Sequence, residues 1–254
     1  MINGLILIFG AFLIFVLSTL TGGGASLLLM PLIAFAVGVR SVAPIMTIGI
    51  AMSSSSKVFF FWKYIDWKLF SWLFPSTIAG SVLGANMLAI VPVDFLQIVI
   101  GLFLVSTIYQ LRDKGTAGGK KKFKVWYFVP IGFIIAFLSG LIGGVGPLMN
   151  SAYLSYGISK EGLIGTRAAN AVILHVSKII SYTWLGLITE EVLVYGLLTG
   201  SSAVLAIYIG KLILARISYA HFRVMVVGLM VLSGLIMLWS HRNIILDFLT
   251  IFSL

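Results

Sequence analysis

Long apolar runs are the feature that most restricts what this chain can fold into. Three of them cover residues 5–20, 69–90 and 192–214, close to or above the roughly 17 to 25 residues that a helix needs to cross a bilayer. The chain of 254 residues is 60% hydrophobic and only 9% charged, whereas soluble domains carry about 25% charged residues. The runs lack the alternation of polar and apolar residues found in membrane barrels. We therefore predict an all-α polytopic membrane protein.

The first apolar run is predicted to be a retained helix and not a signal peptide, because no basic stretch precedes it and no small-residue cleavage site follows it. The chain contains no cysteine, which excludes disulfides and thiolate chemistry. Its net charge of +10 is typical of membrane proteins that collect Lys and Arg in cytoplasmic loops. We therefore predict a lipid bilayer and a small anion as partners, and no nucleic acid.

The two halves of the chain share small and polar residues in the same order, 121 positions apart. The matched pairs are Ser18 with Ser139, Gly22 with Gly143, Gly23 with Gly144, Ser56 with Ser177 and Lys57 with Lys178. Many transporters are built from such internal repeats. We divide the chain into an N-terminal transmembrane repeat (1–111), a basic cytoplasmic linker (112–125), a C-terminal transmembrane repeat (126–243) and a hydrophobic tail (244–254). The tail is too short to span and is predicted to lie at the interface or to pack on the protein.

The distribution of Lys and Arg favours two inverted repeats. Each half has four long spans and one short apolar segment after its glycines, at 25–39 and 147–158. If the short segments cross, each repeat has about five transmembrane segments, and Arg40 and Arg242 are the only loop cations on the outer side. If they dip in and return, the halves are parallel and more loop cations lie outside. The positive-inside rule favours ten crossings with the N-terminus outside. A re-entrant path stays open, because 15 residues of helix cover only about 22 Å.

Two glycine clusters interrupt apolar helices, "TGGGASLLLMP" and "GLIGGVGP". Each glycine in a helix interior costs about 1 kcal/mol relative to alanine, and broken backbone at membrane depth must be covered by protein or water. The helices that restart after Gly24 and Gly146 direct free N–H groups and a positive dipole end toward the break. We therefore predict one anion site near the middle of the membrane, shared by both broken helices. The spaced pair Gly80 and Gly84 is interpreted as a helix-packing contact.

Polar side chains within the spans complete the predicted site. A cation at the bilayer centre costs at least roughly 2.5 to 3.5 kcal/mol, although Lys57 and Arg167 have the alternative of snorkelling to the interface. His175 shares a helix face with Lys178 and is the candidate for proton coupling; a neutral core histidine bonded to a carbonyl is the alternative. The predicted substrate-binding residues are Gly22, Gly23, Gly24, Ser26, Thr47, Lys57, Gly143, Gly144, Gly146, Asn150, Thr166, Arg167, Asn170 and Lys178.

No set of residues in the spans predicts catalysis. There are no paired carboxylates, no His, Asp and Glu at metal-ligand spacing and no phosphate-binding loop. We predict that the protein is not an enzyme and has no cofactor or metal; an intramembrane enzyme is the remoter alternative. An anion channel is the closer one, but it would use a continuous ring of carbonyls or charges rather than two inverted broken helices.

The ordered motifs resemble the sulfite exporter TauE/SafE family of membrane permeases. The resemblance is carried by both glycine motifs, by the downstream "GLIGTRAANAVILHVSK", by the two-half organisation and by the basic linker, and it extends over essentially the whole chain. It implies a permease of the bacterial cytoplasmic (inner) membrane that moves sulfite, organosulfonates such as sulfoacetate, or other sulfur-containing anions. It points to the glycines of both clusters and to Ser26, Pro31, Thr166 and Asn170. Val145 and Pro147 depart from the usual glycine run and leave the break intact.

Alternating access is the predicted mechanism, with one half rocking against the other around a midplane site. Export of a divalent anion from a cell with a negative interior is favoured by roughly 4.6 kcal/mol per 100 mV, so a uniporter would suffice for export. The sequence leaves open the identity of the oxyanion, the direction of transport, the coupling ion and whether the protein forms a homodimer.

Overall fold

The computed structural model describes residues 2–38, 41–87, 93–112, 124–142 and 148–242. Within these residues the chain forms α-helices and short 3-10 turns and contains no β-strand, so the predicted all-α class is confirmed. Residues 113–123 of the predicted linker, residues 143–147 of the second glycine cluster and the predicted tail lie outside the described residues. The helices are α1 (Ile2–Leu20), α2 (Ala25–Val37), α3 (Val42–Phe61), α4 (Trp67–Met87), α5 (Val93–Ser106), α6 (Phe128–Ile142), α7 (Leu148–Tyr156), α8 (Lys160–Trp184), α9 (Glu190–Ser201), α10 (Ala203–Arg216) and α11 (Tyr219–Ser240).

Four helical segments in the described part of the chain are long and apolar enough to cross a membrane. They are Val42–Tyr64, Lys160–Trp184, Glu190–Arg216 and Tyr219–Ser240, the third of which joins α9 to α10. Shorter apolar helices accompany them, and large apolar side chains face outward, such as Phe35, which is 83% exposed, and Trp184, which is 87% exposed. Such a surface suits a lipid environment. The number of ten crossings and the inverted repeats stay predictions.

The first glycine cluster ends one helix and begins the next, as predicted. α1 ends at Leu20, and α2 begins at Ala25 with Gly24 at its N-cap. The chain reverses between them, because α2 folds back along α1 until Leu32 packs against Gly10. The two helices therefore form a helical hairpin whose tip is the glycine cluster. α2 has 13 residues and is only about 20 Å long.

The most extensive helix–helix contacts join the first half of the chain to the second. They pair α4 with α6, α3 with α8, α5 with α11, α3 with α9, α4 with α8 and α1 with α10. The hairpin α1–α2 is consequently held against helices of the other half, and α3 and α8 lie together at the centre. The two halves are thus interlocked and bury their apolar faces against each other.

Glycine allows α4 and α6 to approach each other closely. A Cβ on Gly84 would overlap the carbonyl oxygen of Phe137, and a Cβ on Gly140 would overlap the backbone of Gly84. Gly80, one turn earlier on α4, lies in the same way against the carbonyl of Phe133. Small residues at such positions let membrane helices pack backbone to backbone. The packing interpretation of Gly80 and Gly84 is therefore confirmed.

One end of the helical bundle carries most of the described cations, and we call it the basic end. The end of α3, the start of α8 and the end of α10 meet there: Lys160 Nζ donates hydrogen bonds to the carbonyls of Leu214 and Ile217, and Lys211 Nζ donates to the carbonyl of Phe60. The cations at this end are Lys63, Lys68, Lys124, Lys160, Lys211, Arg216 and Arg223. The opposite end, where α9 begins and α11 ends, carries Glu190, Glu191 and Arg242. The described cations therefore lie mostly at one end of the helices.

Replacing Gly84 with alanine should weaken the α4–α6 contact, because the added methyl group overlaps backbone that cannot rotate away. We expect the Gly84→Ala variant to lose about 1 to 3 kcal/mol of stability, measured as a lower thermal unfolding midpoint in detergent. The matched control is Gly228→Ala in α11, where a Cβ would meet no atom within 4 Å. That control should unfold at the wild-type temperature or above it, since alanine favours helix; equal midpoints for both variants would contradict the close contact.

Candidate cation-lined cavity

A cavity lies beside the tip of the α1–α2 hairpin, between that tip, α3, α6 and α8. Its volume is about 100 Å³, room for several waters or one small oxyanion, because a single water needs about 10 to 15 Å³ by the same measure. Eight residues proposed from the sequence line it: Gly22, Gly23, Gly24, Ser26, Lys57, Arg167, Asn170 and His175.

The cavity lies at depth in the bundle. Arg167 is seven residues into α8, which places its Cα about 10 Å from the start of that helix. The side chain of Leu229 covers Gly24 from α11, and Leu229 is ten residues into its helix, about 15 Å from the start. The hairpin tip is therefore well inside the bundle, as expected for backbone that must be shielded from lipid.

Lys57 brings a positive charge from α3 into this cavity. Its side chain is 8% exposed, and its Nζ donates a hydrogen bond of 2.9 Å to Ser18 Oγ in the last turn of α1. Ser53 and Ser54 also line the cavity, because residues three and four positions earlier share a helix face with Lys57. The snorkelling alternative therefore does not apply to Lys57, whose ammonium is held in the interior.

Arg167 connects α8 to the hairpin tip. Its Nη1 donates a hydrogen bond to the carbonyl oxygen of Gly22, and its guanidinium lies against Gly23. A Cβ on Gly23 would overlap the guanidinium, and the φ of 130° at this residue is one that side-chain-bearing residues rarely adopt. Glycine at this position thus permits both the turn and the approach of Arg167.

The described residues around the cavity supply positive charge and no carboxylate. Lys57 and Arg167 line it, and none of its lining residues is Asp or Glu. In the described part of the chain, the one ion pair joins Lys160 to Glu161 at 3.6 Å, at the basic end. Because buried charges are normally paired or neutralised, the cavity is suited to an anion that would compensate these two cations.

The first turn of α2 adds partial positive charge to the same place. Gly24 has no side chain that could cap the helix, and Ala25 and Ser26 of the first turn line the cavity. N–H groups in the first turn have no partner within their own helix, and the dipole gives this end about half a positive charge. Two side-chain cations and one helix start therefore converge on one small space.

Asn170 and His175 extend the lining along α8. Asn170 Oδ1 accepts a hydrogen bond of 2.7 Å from Thr77 Oγ1 of α4. His175 is buried, and its Nδ1 has no hydrogen-bond partner within the described ranges. An imidazole that lines a cavity with an unpartnered nitrogen is available to a ligand or to water, and its role in proton coupling stays a prediction.

Four predicted ligands are buried but do not line the cavity: Thr47, Asn150, Thr166 and Lys178. Thr166 Oγ1 accepts a hydrogen bond of 2.9 Å from the backbone N–H of Asp66, just before α4 begins. Both amide atoms of the Asn150 side chain lack a hydrogen-bond partner among the residues described. Lys178 Nζ lies 3.5 Å from the carbonyl oxygen of Ser139. Substrate contact by these four residues stays a prediction.

The sequence interpretation missed several serines of the cavity lining. Ser18, Ser53, Ser54 and Ser139 all line the cavity, although none was proposed as a ligand. Their spacing could have identified them, because Ser53 and Ser54 share the face of Lys57, while Ser18 and Ser139 are a matched pair of the two repeats. Gly143, Gly144 and Gly146, by contrast, lie outside the described residues.

A search for possible metal sites, restricted to the same described residues, finds no group of three or more His, Cys, Asp or Glu side chains. The polar groups that do gather at the cavity are hydroxyls, an imidazole and cations. Their chemistry suits binding of an anion through hydrogen bonds and charge.

The comparison with protein families agrees with the motifs. The model of the family described as Sulfite exporter TauE/SafE matches residues 7–237, which extends from α1 into α11. Neither the curated proteins nor the solved structures gave a match to the chain. The family match and the apolar helices identify an integral, multi-pass membrane protein. The chain belongs to the sulfite exporter TauE/SafE family of membrane transporters.

Proposed function

We propose that the protein is a secondary transporter that carries a small sulfur-containing oxyanion, such as sulfite or an organosulfonate, across the bacterial cytoplasmic membrane by alternating access. The observation that carries the proposal is the cavity in which Lys57, Arg167 and the start of α2 meet without a carboxylate. Family membership supports transport of the sulfite exporter type. Family membership is the reason for proposing a sulfur-containing substrate. The cations of the cavity are the reason for proposing a negatively charged one.

The physical basis is that an anion offsets the cost of the buried cations. A charge removed from water is costly unless it is paired and hydrogen-bonded, and within the described residues both cations are bonded to oxygens of neutral groups, Ser18 Oγ and the Gly22 carbonyl. A sulfite or sulfonate group presents three oxygens, enough to accept from Lys57, Arg167 and the first turn of α2 at once. Charge-assisted hydrogen bonds of this kind are roughly twice as strong as neutral ones.

The orientation of the protein in the membrane is inferred from the charge at the two ends of the bundle. The basic end would face the cytoplasm by the positive-inside rule, which leaves the N-terminus outside and supports ten crossings in two inverted repeats. The helix contacts fit two halves related by a two-fold axis, because α4 with α6 and α1 with α10 are then equivalent pairs. With this orientation, the negative interior of the cell drives anions outward.

A carrier accounts for the cavity better than an anion channel does. A pore needs a continuous polar path, whereas the cavity of about 100 Å³ is a small chamber at the hairpin tip. The two functions differ in one measurable property: unlabelled anion on the far side accelerates the flux of labelled anion through a carrier and leaves flux through a pore unchanged. A metal-dependent intramembrane enzyme has no support among the described residues, because no three His, Cys, Asp or Glu side chains lie together there.

Lys57 should be required for anion binding. In the Lys57→Met variant one charge-assisted contact is lost, so we expect about tenfold or greater weakening of sulfite affinity. The measurement is the rise in thermal unfolding midpoint with sulfite in detergent, since a ligand that binds only the folded state stabilises it. Uptake of radiolabelled sulfite by proteoliposomes gives the second measurement. The matched control is Lys63→Met, a lysine exposed at the basic end, which should bind and transport like the wild type. Equal binding by the wild type and Lys57→Met would rule out this site.

His175 should carry protons if transport is proton-coupled. We expect the wild-type protein to move protons together with sulfite, recorded by a pH-sensitive dye inside proteoliposomes. The His175→Gln variant keeps a polar side chain of similar size but cannot titrate, so sulfite flux should continue without proton movement. The matched control is Ser54→Ala on the facing helix α3, which alters a residue of the cavity lining and leaves His175 in place. Proton movement should persist in this control. Proton movement that persists in His175→Gln would exclude His175 as the carrier.

A further inference from the structure

Some of the residues that line the cavity occupy equivalent positions of the two halves. Ser18 and Ser139 both line it, as do Ile50 and Ala171, and Ser54 and His175. The members of each pair are 121 positions apart in the sequence. The cavity therefore lies between the two halves and is lined by residues of both.

The two matched lysines differ from these pairs. Lys57 lines the cavity and is 8% exposed, whereas Lys178, its equivalent 121 positions later, does not line it and is 0% exposed. Both lysines nevertheless contact the equivalent serine, which lies 39 residues earlier in each half. Lys57 Nζ donates to Ser18 Oγ at 2.9 Å, and Lys178 Nζ lies 3.5 Å from the backbone oxygen of Ser139. The same lysine–serine contact is thus present in both halves, but the lysine lines the cavity in the first half and lies away from it in the second.

We propose that Lys178, together with the Ser139 hydroxyl, is the anion contact of the opposite-facing state of the protein. The inference rests on the proposed transport function, and it assigns the two lysines to successive states rather than to one site. When the cavity opens to the other side, Lys178 moves to Ser139 Oγ and faces the cavity, while Lys57 withdraws to the position that Lys178 has here. The anion passes from one ammonium to the other.

The surroundings of Lys178 within the described residues fit a cation that has no strong partner in this state of the protein. In the structure as described, its ammonium has a long contact to a carbonyl and lies 5.7 Å from the centre of the Tyr182 ring, with no carboxylate at ion-pair distance. A fully buried ammonium with such weak partners is costly, and a packing role would be served by an apolar side chain. Ser139 belongs to the cavity lining and its backbone oxygen contacts Lys178, so the proposed partner already lies between Lys178 and the anion site.

Separating binding from transport tests the assignment. Purified Lys178→Met should keep the rise in unfolding midpoint that sulfite causes in the wild type, because Lys57 and Arg167 still form the site described here. In proteoliposomes the same variant should exchange sulfite at a rate about tenfold or more below the wild type, since one state has lost its charge-assisted contact. Lys57→Met should lose both properties. Lys178→Arg, which keeps the charge, should recover part of the exchange that Lys178→Met loses.

The absence of cysteine from the chain allows a second test that does not depend on the substrate. Single-cysteine variants Lys57→Cys and Lys178→Cys are treated with a membrane-impermeant thiol reagent in membrane vesicles of both orientations. Cysteine at position 57 should react from the side of the basic end, and cysteine at position 178 should react from the opposite side only. Lys63→Cys at the basic end reports the orientation of the vesicles.

Each outcome decides between the alternatives. Wild-type exchange by Lys178→Met, or reaction of cysteine 178 from the basic side or from neither side, overturns the assignment of Lys178. A wild-type protein that neither binds nor exchanges sulfite contradicts the proposed substrate instead, while opposite-sided labelling of the two cysteines would still support the exchange of the two lysines. Loss of folding in Lys178→Met, seen as aggregation together with a folded Lys178→Arg, would assign Lys178 a structural role and overturn the inference.

Discussion

Positive charge held inside an apolar helical bundle is the constraint on which the rest of this structure depends. Lys57 and Lys178 are buried among the described helices and Arg167 is partly buried; the oxygen partners of all three cations belong to neutral groups. Ser18 and Ser139 lie in the last turns of α1 and α6, and Gly22 lies two residues after the end of α1. The end of a helix carries partial negative charge and unpaired carbonyls. The interrupted helices therefore supply what the cations need, and without an interruption at this depth such cations would have no partner.

The same interruption also forms part of the space that the proposed anion would occupy. At the hairpin tip the chain presents the negative end of α1 to Lys57 and Arg167 and, three residues later, the positive start of α2 to the cavity. Glycine makes this possible, since no side chain at Gly23 could occupy the space of the Arg167 guanidinium. One short stretch of backbone thus stabilises the cations and leaves room for their counterion. Side chains of α8 and α11 lie against this broken backbone, Leu163 at Gly22 and Leu229 at Gly24, as expected for backbone that must be covered at membrane depth.

The sequence predicted the helix break and the cations of the site, and it failed where neighbours in space decide the outcome. Glycine propensity and the cost of a buried charge are local properties, so the end of α1, the start of α2, and the places of Lys57 and Arg167 could be predicted. Which helix covers a given face depends on tertiary packing. Thr166 follows the motif that resembles the family, yet its hydroxyl accepts from the backbone of Asp66 in a neighbouring loop. Lys178 matches Lys57 in the repeat, yet it lies behind the cavity lining, since a repeat fixes equivalent positions on helices and not equal conformations of the two halves.

The neutral character of the groups that hold the cations around the cavity is what would let occupancy control conformation. A ligand shifts an equilibrium between two states only through its different affinity for them. An anion that binds Arg167 competes with the Gly22 carbonyl, and one that binds Lys57 competes with Ser18 Oγ. Both competing groups belong to the α1–α2 hairpin, whereas the cations belong to α3 and α8, so an arriving anion weakens the attachment of the hairpin tip to these two helices. Carboxylates in place of these neutral oxygens would hold the hairpin more firmly and would also neutralise the cations, which would remove both the binding site and the means by which binding alters the structure.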